Sequence, residues 1–250
     1  MSGHSKWSQI KRKKGRADQE RGQLFSKLIK EITVAARHGG GDPEANPRLR
    51  TVIQTAKAAN MPADNIERAV KKGTGELPGV IYEELIYEGY GPGGVAILAL
   101  CLTDNKNRCA NDVRHTFVKN HGNLGAPGSV AWKFETRGVV TVDATTTSED
   151  ALLTVALDAG ALDVDTSDPA HHEVITPPNS LEPVRQALLG HKIAVTAAEI
   201  TRIPQNTVVL DEAEASRVLR IMDALEELDD VQKVWSDLEI PEELLARLGG

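Results

Sequence analysis

The sequence predicts an α+β protein: an N-terminal basic arm and three-helix bundle, followed by two ferredoxin-like α+β domains, one inserted in the other. Three observations predict it. Apolar residues recur at spacings of three and four through roughly the first 75 positions, and alternate beyond them. The predicted elements between 138 and 203 run β-α-β-β-α-β, the split βαβ order. A further strand, helix and strand follow that run and complete a set begun before it. At 250 residues, with 40% hydrophobic and 26% charged side chains, the chain is long enough for more than one core.

Residues 1–16 contain GHSKW (3–7) and IKRKKGR (10–16) and hardly any other apolar side chain, so they read as an arm without a core of its own. Leu24, Phe25, Leu28, Ile29, Ile32 and Ala36 form one stripe of a first helix, ended by the glycines at 39–41 and the Asp42-Pro43 turn. A second helix opens with Asn46 as cap and Pro47 at its first position, and buries Leu49, Val52, Ile53 and Ala56. A third, Ala63 to Lys72, buries Ile66, Ala69 and Val70 and is predicted to stop at Gly73. After the linker TGELPG, strands Tyr82–Tyr87 and Val95–Leu102 flank the glycine-rich turn 88–94. A helix from Asn105 to about Asn120 turns Val113, Phe117 and Val118 inward, and Ser129–Phe134 reads as another strand. Strand 138–143, helix 148–159, strands 162–166 and 172–176, helix 180–190 and strand 193–203 follow. The tail adds strand 207–210, helix 212–228 and strand 231–236. The predicted domains are therefore 1–75, a discontinuous 76–134 with 207–240, an inserted 135–206, and a tail 241–250.

The net charge of −7 conceals a division. Residues 1–75 carry 16 basic and 7 acidic side chains (+9), and residues 76–250 carry 13 and 29 (−16). Lys6, Lys11, Arg12, Lys13, Lys14, Arg16 and Arg21 put seven cations into the first 21 positions, against Asp18 and Glu20. Such an arm attracts phosphate backbones through counterion release. Trp7, among these cations, either stacks on an exposed base or packs back on the bundle. Lys27, Lys30 and Arg37 fall on or near the polar face of the first helix and extend the stripe. Lys106, Arg108, Arg114 and Lys119 on the middle-domain helix are either a secondary basic patch or an ordinary solvated face. The helix connections GGGDPEANP and NMPAD are longer or more proline-rich than a helix-turn-helix turn, so the arm is expected to bind with little sequence preference. Residues 135–206 (net −7) and 211–250 (net −8) are expected to face away from phosphate and to meet a protein partner.

Several chemistries find no support. GYGPGG at 89–94 is followed by a strand, where a dinucleotide fingerprint needs a helix, and no P-loop sequence occurs. The seven histidines are scattered, and Cys101 and Cys109 are too few for a disulfide framework. No catalytic residue, metal or cofactor is predicted; an enzyme with an interdomain cleft is the remotest reading. The longest apolar run, Val95–Leu102, is too short to span a bilayer, and no secretory signal is evident, so a cytoplasmic protein is expected.

Taken together, GHSKW (3–7), RHGGGDPEANPRLR (37–50), NMPADNIERAVKKGTG (60–75), YEGYGPGGVAI (87–97), TDNKNRCANDVRH (103–115) and GNLGAPGSVAWKF (122–134) resemble one family. It is the YebC/PmpR family of probable transcriptional regulatory proteins, which includes the mitochondrial translational activator of cytochrome c oxidase. The resemblance runs over essentially the whole chain and is least distinctive in the inserted domain. The chain departs at His121, where the family has a second glycine, and at Cys109, where Thr is more usual. The resemblance implies a three-domain cytoplasmic α+β protein without cofactor or catalytic activity. It further implies a nucleic-acid-binding regulator of gene expression, with DNA in transcription control first. A translation factor on rRNA or the ribosome, relieving stalling or activating translation, is the alternative.

Overall fold

In the computed structural model, which describes residues 17–240 and their side chains from 21 onward, three helices precede every strand. They are α1 (Ala17–Gly39), α2 (Pro47–Ala58) and α3 (Ala63–Thr74). The chain continues through β1 (Glu83–Tyr90), β2 (Ala96–Thr103), α4 (Lys106–Lys119), β3 (Asn123–Leu124), β4 (Phe134–Asp143), α5 (Glu149–Asp158) and β5 (Asp163–Asp165). It ends with β6 (His171–Thr176), α6 (Leu181–Gly190), β7 (Val195–Pro204), β8 (Val208–Val209), α7 (Glu212–Glu226), β9 (Val231–Ser236) and β10 (Leu238–Glu239).

The bundle closes on Leu28, Ile32, Leu49, Ile53, Ile66 and Ala69, the apolar faces that the spacing predicts. Leu24 is 44% exposed, so the buried stripe of α1 begins one turn later than expected. Asn46 caps α2: its Oδ1 accepts the Leu49 N–H at 3.1 Å, while its Nδ2 donates to the carbonyls of Ala35 (2.9 Å) and Gly40 (2.8 Å). One buried side chain thus joins the end of α1 to the start of α2, and losing such a cap costs about 1 kcal/mol. Gly73 does not stop α3. It lies within the helix, where a Cβ would stand 2.4 Å from the Thr33 carbonyl of α1, and the helix ends instead at Gly75, with φ +84°.

The described chain forms two compact units. One holds residues 17–131 with Leu210–Ser236 and Ile240; the other holds Trp132–Val209 with Asp237–Glu239. The first unit contains the bundle and an antiparallel sheet of order β3-β1-β2-β9. β1 and β2 pair from Glu83↔Thr103 to Tyr90↔Ala96, and the apolar run of β2 is almost wholly buried. β3, two residues that the pattern does not reveal, adds to Gly89 and Tyr90. α4 buries Val113 and Phe117, whereas Val118, expected inward, is 62% exposed. α7 buries Val218, Ile221, Met222 and Leu225.

The second unit holds a sheet of order β5-β6-β4-β7, antiparallel throughout, which is the ferredoxin-like arrangement. Leu152 and Ala156 of α5 and Val184 and Leu188 of α6 pack with Val140, Val142 and Val174 of the sheet. β8 and β10 form a short parallel pair. The strand expected at Ser129–Phe134 is absent. The N–H groups of Gly128, Val130 and Ala131 point instead at the buried Glu88 carboxylate, at 2.6, 2.7 and 2.8 Å, so they are not available to a ladder. The strand starts at Phe134 and runs through Gly138 to Asp143, paired with β7 from Phe134↔Pro204 to Val142↔Val195.

Candidate nucleic-acid interface

Of the predicted phosphate contacts, Lys6, Trp7, Lys11, Arg12, Lys13, Lys14 and Arg16 lie outside the described residues. Arg21 and Arg37 are exposed on α1 and form no ion pair within the described residues.

Lys27 and Lys30 do not extend the stripe. Lys27 Nζ donates to the Glu226 carbonyl at 2.6 Å, and Lys30 Nζ donates to the Asp229 carbonyl at 2.9 Å and to Asp230 Oδ1 at 2.6 Å. Gln23 Nε2 joins them on the Glu227 carbonyl, at 2.6 Å. Glu226 and Glu227 are the C-terminal end of α7, where carbonyls lack intrahelical partners and the helix dipole is negative, so cations settle there. These lysines therefore seat the bundle on α7. The partners of Gln23, Lys27 and Lys30 lie 199 to 204 positions away, beyond any local pattern.

Asp230 is the centre of this seam. It accepts from Lys30, from Thr103 Oγ1 (2.8 Å) and from Arg108 Nη2 (2.8 Å). Burial alone would raise its pKa; the hydrogen bonds from Arg108, Lys30 and Thr103 outweigh it and hold the carboxyl below the usual carboxylate range. A groove of about 570 Å³ runs beside it, lined by Tyr82, Asp104, Arg108, Cys109, Asp112 and Asp229 among others. Its two cations, Lys30 and Arg108, are both ion-paired and its carboxylates outnumber them, so it does not favour phosphate. Cys101 and Cys109 are both buried, and a hydrogen bond from Cys101 holds the Cys109 thiol below its ordinary value.

The secondary patch divides. Lys106 pairs with Glu83 at 2.6 Å, and Arg108 pairs with Asp104 and Asp230, both at 2.8 Å, so these two are neutralised. Arg114 and Lys119 are exposed and pair with no carboxylate among the described residues. Lys119 has cationic neighbours that the linear reading missed. Arg217 and Arg220 of α7 line with it, Asn120 and His121 a recess of about 150 Å³. The available signal was an R-x-x-R spacing on a helix within an otherwise acidic tail.

The connection between α2 and α3 is shorter than expected, although it keeps its proline, Pro62. Only residues 59–62 separate the helices, because Ala63 and Asp64 belong to α3, and Asn60 turns the chain at φ +59°. Four residues is a length that helix-turn-helix units use. The outward side of α3 carries Asp64, Glu67, Arg68 and Lys72, with Lys71 paired to Glu67 at 2.5 Å. Among the described residues, no helix is long and apolar enough to cross a membrane, and no three His, Cys, Asp or Glu side chains gather where they could hold a metal ion.

Residues 5–76 match the N-terminal domain of the TACO1/YebC protein, and residues 82–238 match the TACO1/YebC second and third domain. A probable transcriptional regulatory protein of Desulfotalea psychrophila is 55% identical over 249 residues, 99% of each chain. Another, from Syntrophobacter fumaroxidans, is 56% identical over 249 residues, 99% of this chain and 100% of its own. The crystal structure of a conserved hypothetical protein from Aquifex aeolicus aligns with a TM-score of 0.82 at 52% identity, over 91% of this chain and 94% of that one. With matches to both parts of the family and over half the residues shared with full-length relatives, the chain belongs to the TACO1/YebC family.

Proposed function

We propose that the protein is a nucleic-acid-binding regulator of gene expression that holds phosphates through its N-terminal arm and bundle, with DNA in transcription control as its target. The observation that carries this reading is the charge division, +9 over residues 1–75 against −16 over residues 76–250. Two relatives bear the name probable transcriptional regulatory protein, which supports the same reading. Because Lys27 and Lys30 are held at the end of α7, the phosphate contacts fall to Lys6, Lys11, Arg12, Lys13, Lys14, Arg16, Arg21 and Arg37, with Trp7 as the stacking side chain. The four-residue turn before α3 supports duplex DNA as the target. The acidic remainder meets a protein partner.

A translation factor on rRNA or the ribosome is the second reading, and the outward side of α3 favours it. Asp64 and Glu67 stand there among Arg68 and Lys72, and carboxylates entering a major groove meet phosphate repulsion.

The salt dependence of binding by the full chain tests the proposal. With about six phosphates neutralised on duplex DNA, log K falls against log salt with a slope of about −5, and replacing Lys11, Arg12, Lys13 and Lys14 together by Ala flattens it by about 3–4. A native slope shallower than about −2 rejects the arm as the binding element. Ribosome profiling beside transcript counting in a deletion strain separates the two targets. Changed transcripts without ribosome association support DNA; pausing with unchanged transcripts overturns it.

A further inference from the structure

The end of α4 and the middle of α7 meet at Gly122. A Cβ there would stand 2.9 Å from Phe117 Cδ1, 2.9 Å from the Tyr90 carbonyl oxygen and 3.0 Å from Ile221 Cδ1, so a glycine lets the two helices close. α4 finishes in a left-handed cap: the Gly122 N–H donates to the Phe117 carbonyl at 2.8 Å, the His121 N–H donates to the Val118 carbonyl at 3.2 Å, and His121 sits at φ +66°. This closure brings Lys119 and His121 beside Arg217 and Arg220, which lie one turn apart on α7. With Asn120 they line the recess of about 150 Å³. At ~30 Å³ per water, that is the volume of about five waters, room for a phosphate group with part of its hydration.

The charge of the recess is unbalanced. No carboxylate lines it, and Lys119, Arg217 and Arg220 form no ion pair among the described residues, whereas Lys30, Lys106, Arg108 and Lys133 each pair with a carboxylate. Three cations share one recess in a chain of net charge −7, and two of them, Arg217 and Arg220, come from a tail (211–250) whose acidic side chains outnumber the basic ones by 12 to 4. Like charges at such spacing repel, and a bound anion reverses the sign of that interaction. His121 occupies a left-handed position that a side chain ordinarily avoids, and it lines the same recess.

We infer that this recess binds one phosphate group, and that its source is a backbone phosphate of the nucleic acid held by the N-terminal arm; the choice of source rests on the function proposed above. Guanidinium forks suit phosphate oxygens, so Arg217 and Arg220 grip the group while Lys119 adds a point charge. The tail, expected from its composition only to repel phosphate, therefore carries a contact of its own.

Two measurements on the full chain test this. The first follows the His121 ring protons by NMR, assigned through His121→Gln, during titration with inorganic tripolyphosphate. The wild type should show a saturable shift that Arg217→Ala/Arg220→Ala abolishes. The second measures salt slopes on duplex DNA and on structured RNA; the double variant should flatten the slope by about 1, one phosphate fewer. Both arginines are exposed and unpaired within the described residues, and an unchanged melting temperature will show that the double variant folds. A tripolyphosphate shift with unchanged slopes overturns the backbone source and leaves a free polyphosphate as the ligand. No shift in the wild type overturns the recess itself. A wild-type chain that binds neither nucleic acid refutes the proposed function, and the backbone source with it; the tripolyphosphate arm still decides whether the recess takes phosphate.

Discussion

Lys30 and Asp230 stand 200 positions apart in the chain and 2.6 Å apart at Nζ and Oδ1. Their side chains are only 13% and 10% exposed, so salt screens the pair less than a surface bridge. The same carboxylate accepts from Thr103 at the end of β2 and from Arg108 in the first turn of α4. One aspartate therefore ties the bundle, the sheet and a helix of the first unit together.

Replacing Asp230 by Asn leaves Lys30 and Arg108 facing an amide and should lower stability by about 3 kcal/mol, read as a drop in melting temperature. The pH dependence follows from the depressed carboxyl. Its folded value lies below the unfolded one (about 3.9), so the stabilisation is complete above that unfolded value and is lost as pH falls through the folded one. The gap in melting temperature between wild type and D230N should hold steady from about pH 7 to 5 and shrink below about pH 4. A gap that widens on acidification would contradict the assignment.

Lys27→Ala with Lys30→Ala should destabilise the chain by about 2 kcal/mol, since both lysines meet the carbonyl end of α7. The salt slope of nucleic-acid binding should stay where it was. A flattened slope at unchanged melting temperature would return these lysines to the phosphate surface.

Glu88→Gln weakens the acceptor that gathers three N–H groups of the 128–131 turn, and should cost about 2 kcal/mol. Hydrogen exchange should speed up first at Gly128, Val130 and Ala131, with the β1–β2 ladder still protected. Loss of protection in the ladder ahead of the turn would show that Glu88 acts elsewhere.

His121→Gly relieves a left-handed side chain and should raise stability by about 1 kcal/mol. The same variant should bind tripolyphosphate more weakly than the wild type. Calorimetric unfolding and titration of one sample read both effects, and a gain in stability without a loss of binding would leave the imidazole no part in the recess.

What the sequence disclosed follows range along the chain. The Asn46-Pro47 helix start, the stripes of α2 and α3 and the apolar β2 all depend on neighbours within a turn or a pleat. The ferredoxin-like order of β4 to β7 was legible because each element repeats its period over several residues. Ser129–Phe134 misled because its composition suits a strand while a distant carboxylate holds its N–H groups. Lys27 and Lys30 misled in the same way: a cation on a helix face looks alike whether water or a helix end neutralises it. Arg217 and Arg220 were hidden by the acidic residues around them, since net charge averages over a segment and a recess does not. The arm, where the sequence places most of the phosphate contacts, lies outside the described residues.

The place of β9 has a consequence for the newborn chain. It is the fourth strand of the first unit's sheet, yet β4 to β7 are all translated before it. At roughly 5–20 residues per second, the interval between the end of β2 and the start of β9 lasts roughly 6–25 s. Throughout that delay the AILALCLT strand presents an open apolar edge, and the bundle lacks the helix end on which Gln23, Lys27 and Lys30 rest. The ferredoxin-like sheet, by contrast, closes from one contiguous stretch, 134–204, and can be finished while its host is still waiting. The stretch 134–204 can thus be complete before the sheet that it interrupts, and β2 is the segment for which a nascent-chain chaperone has most to do.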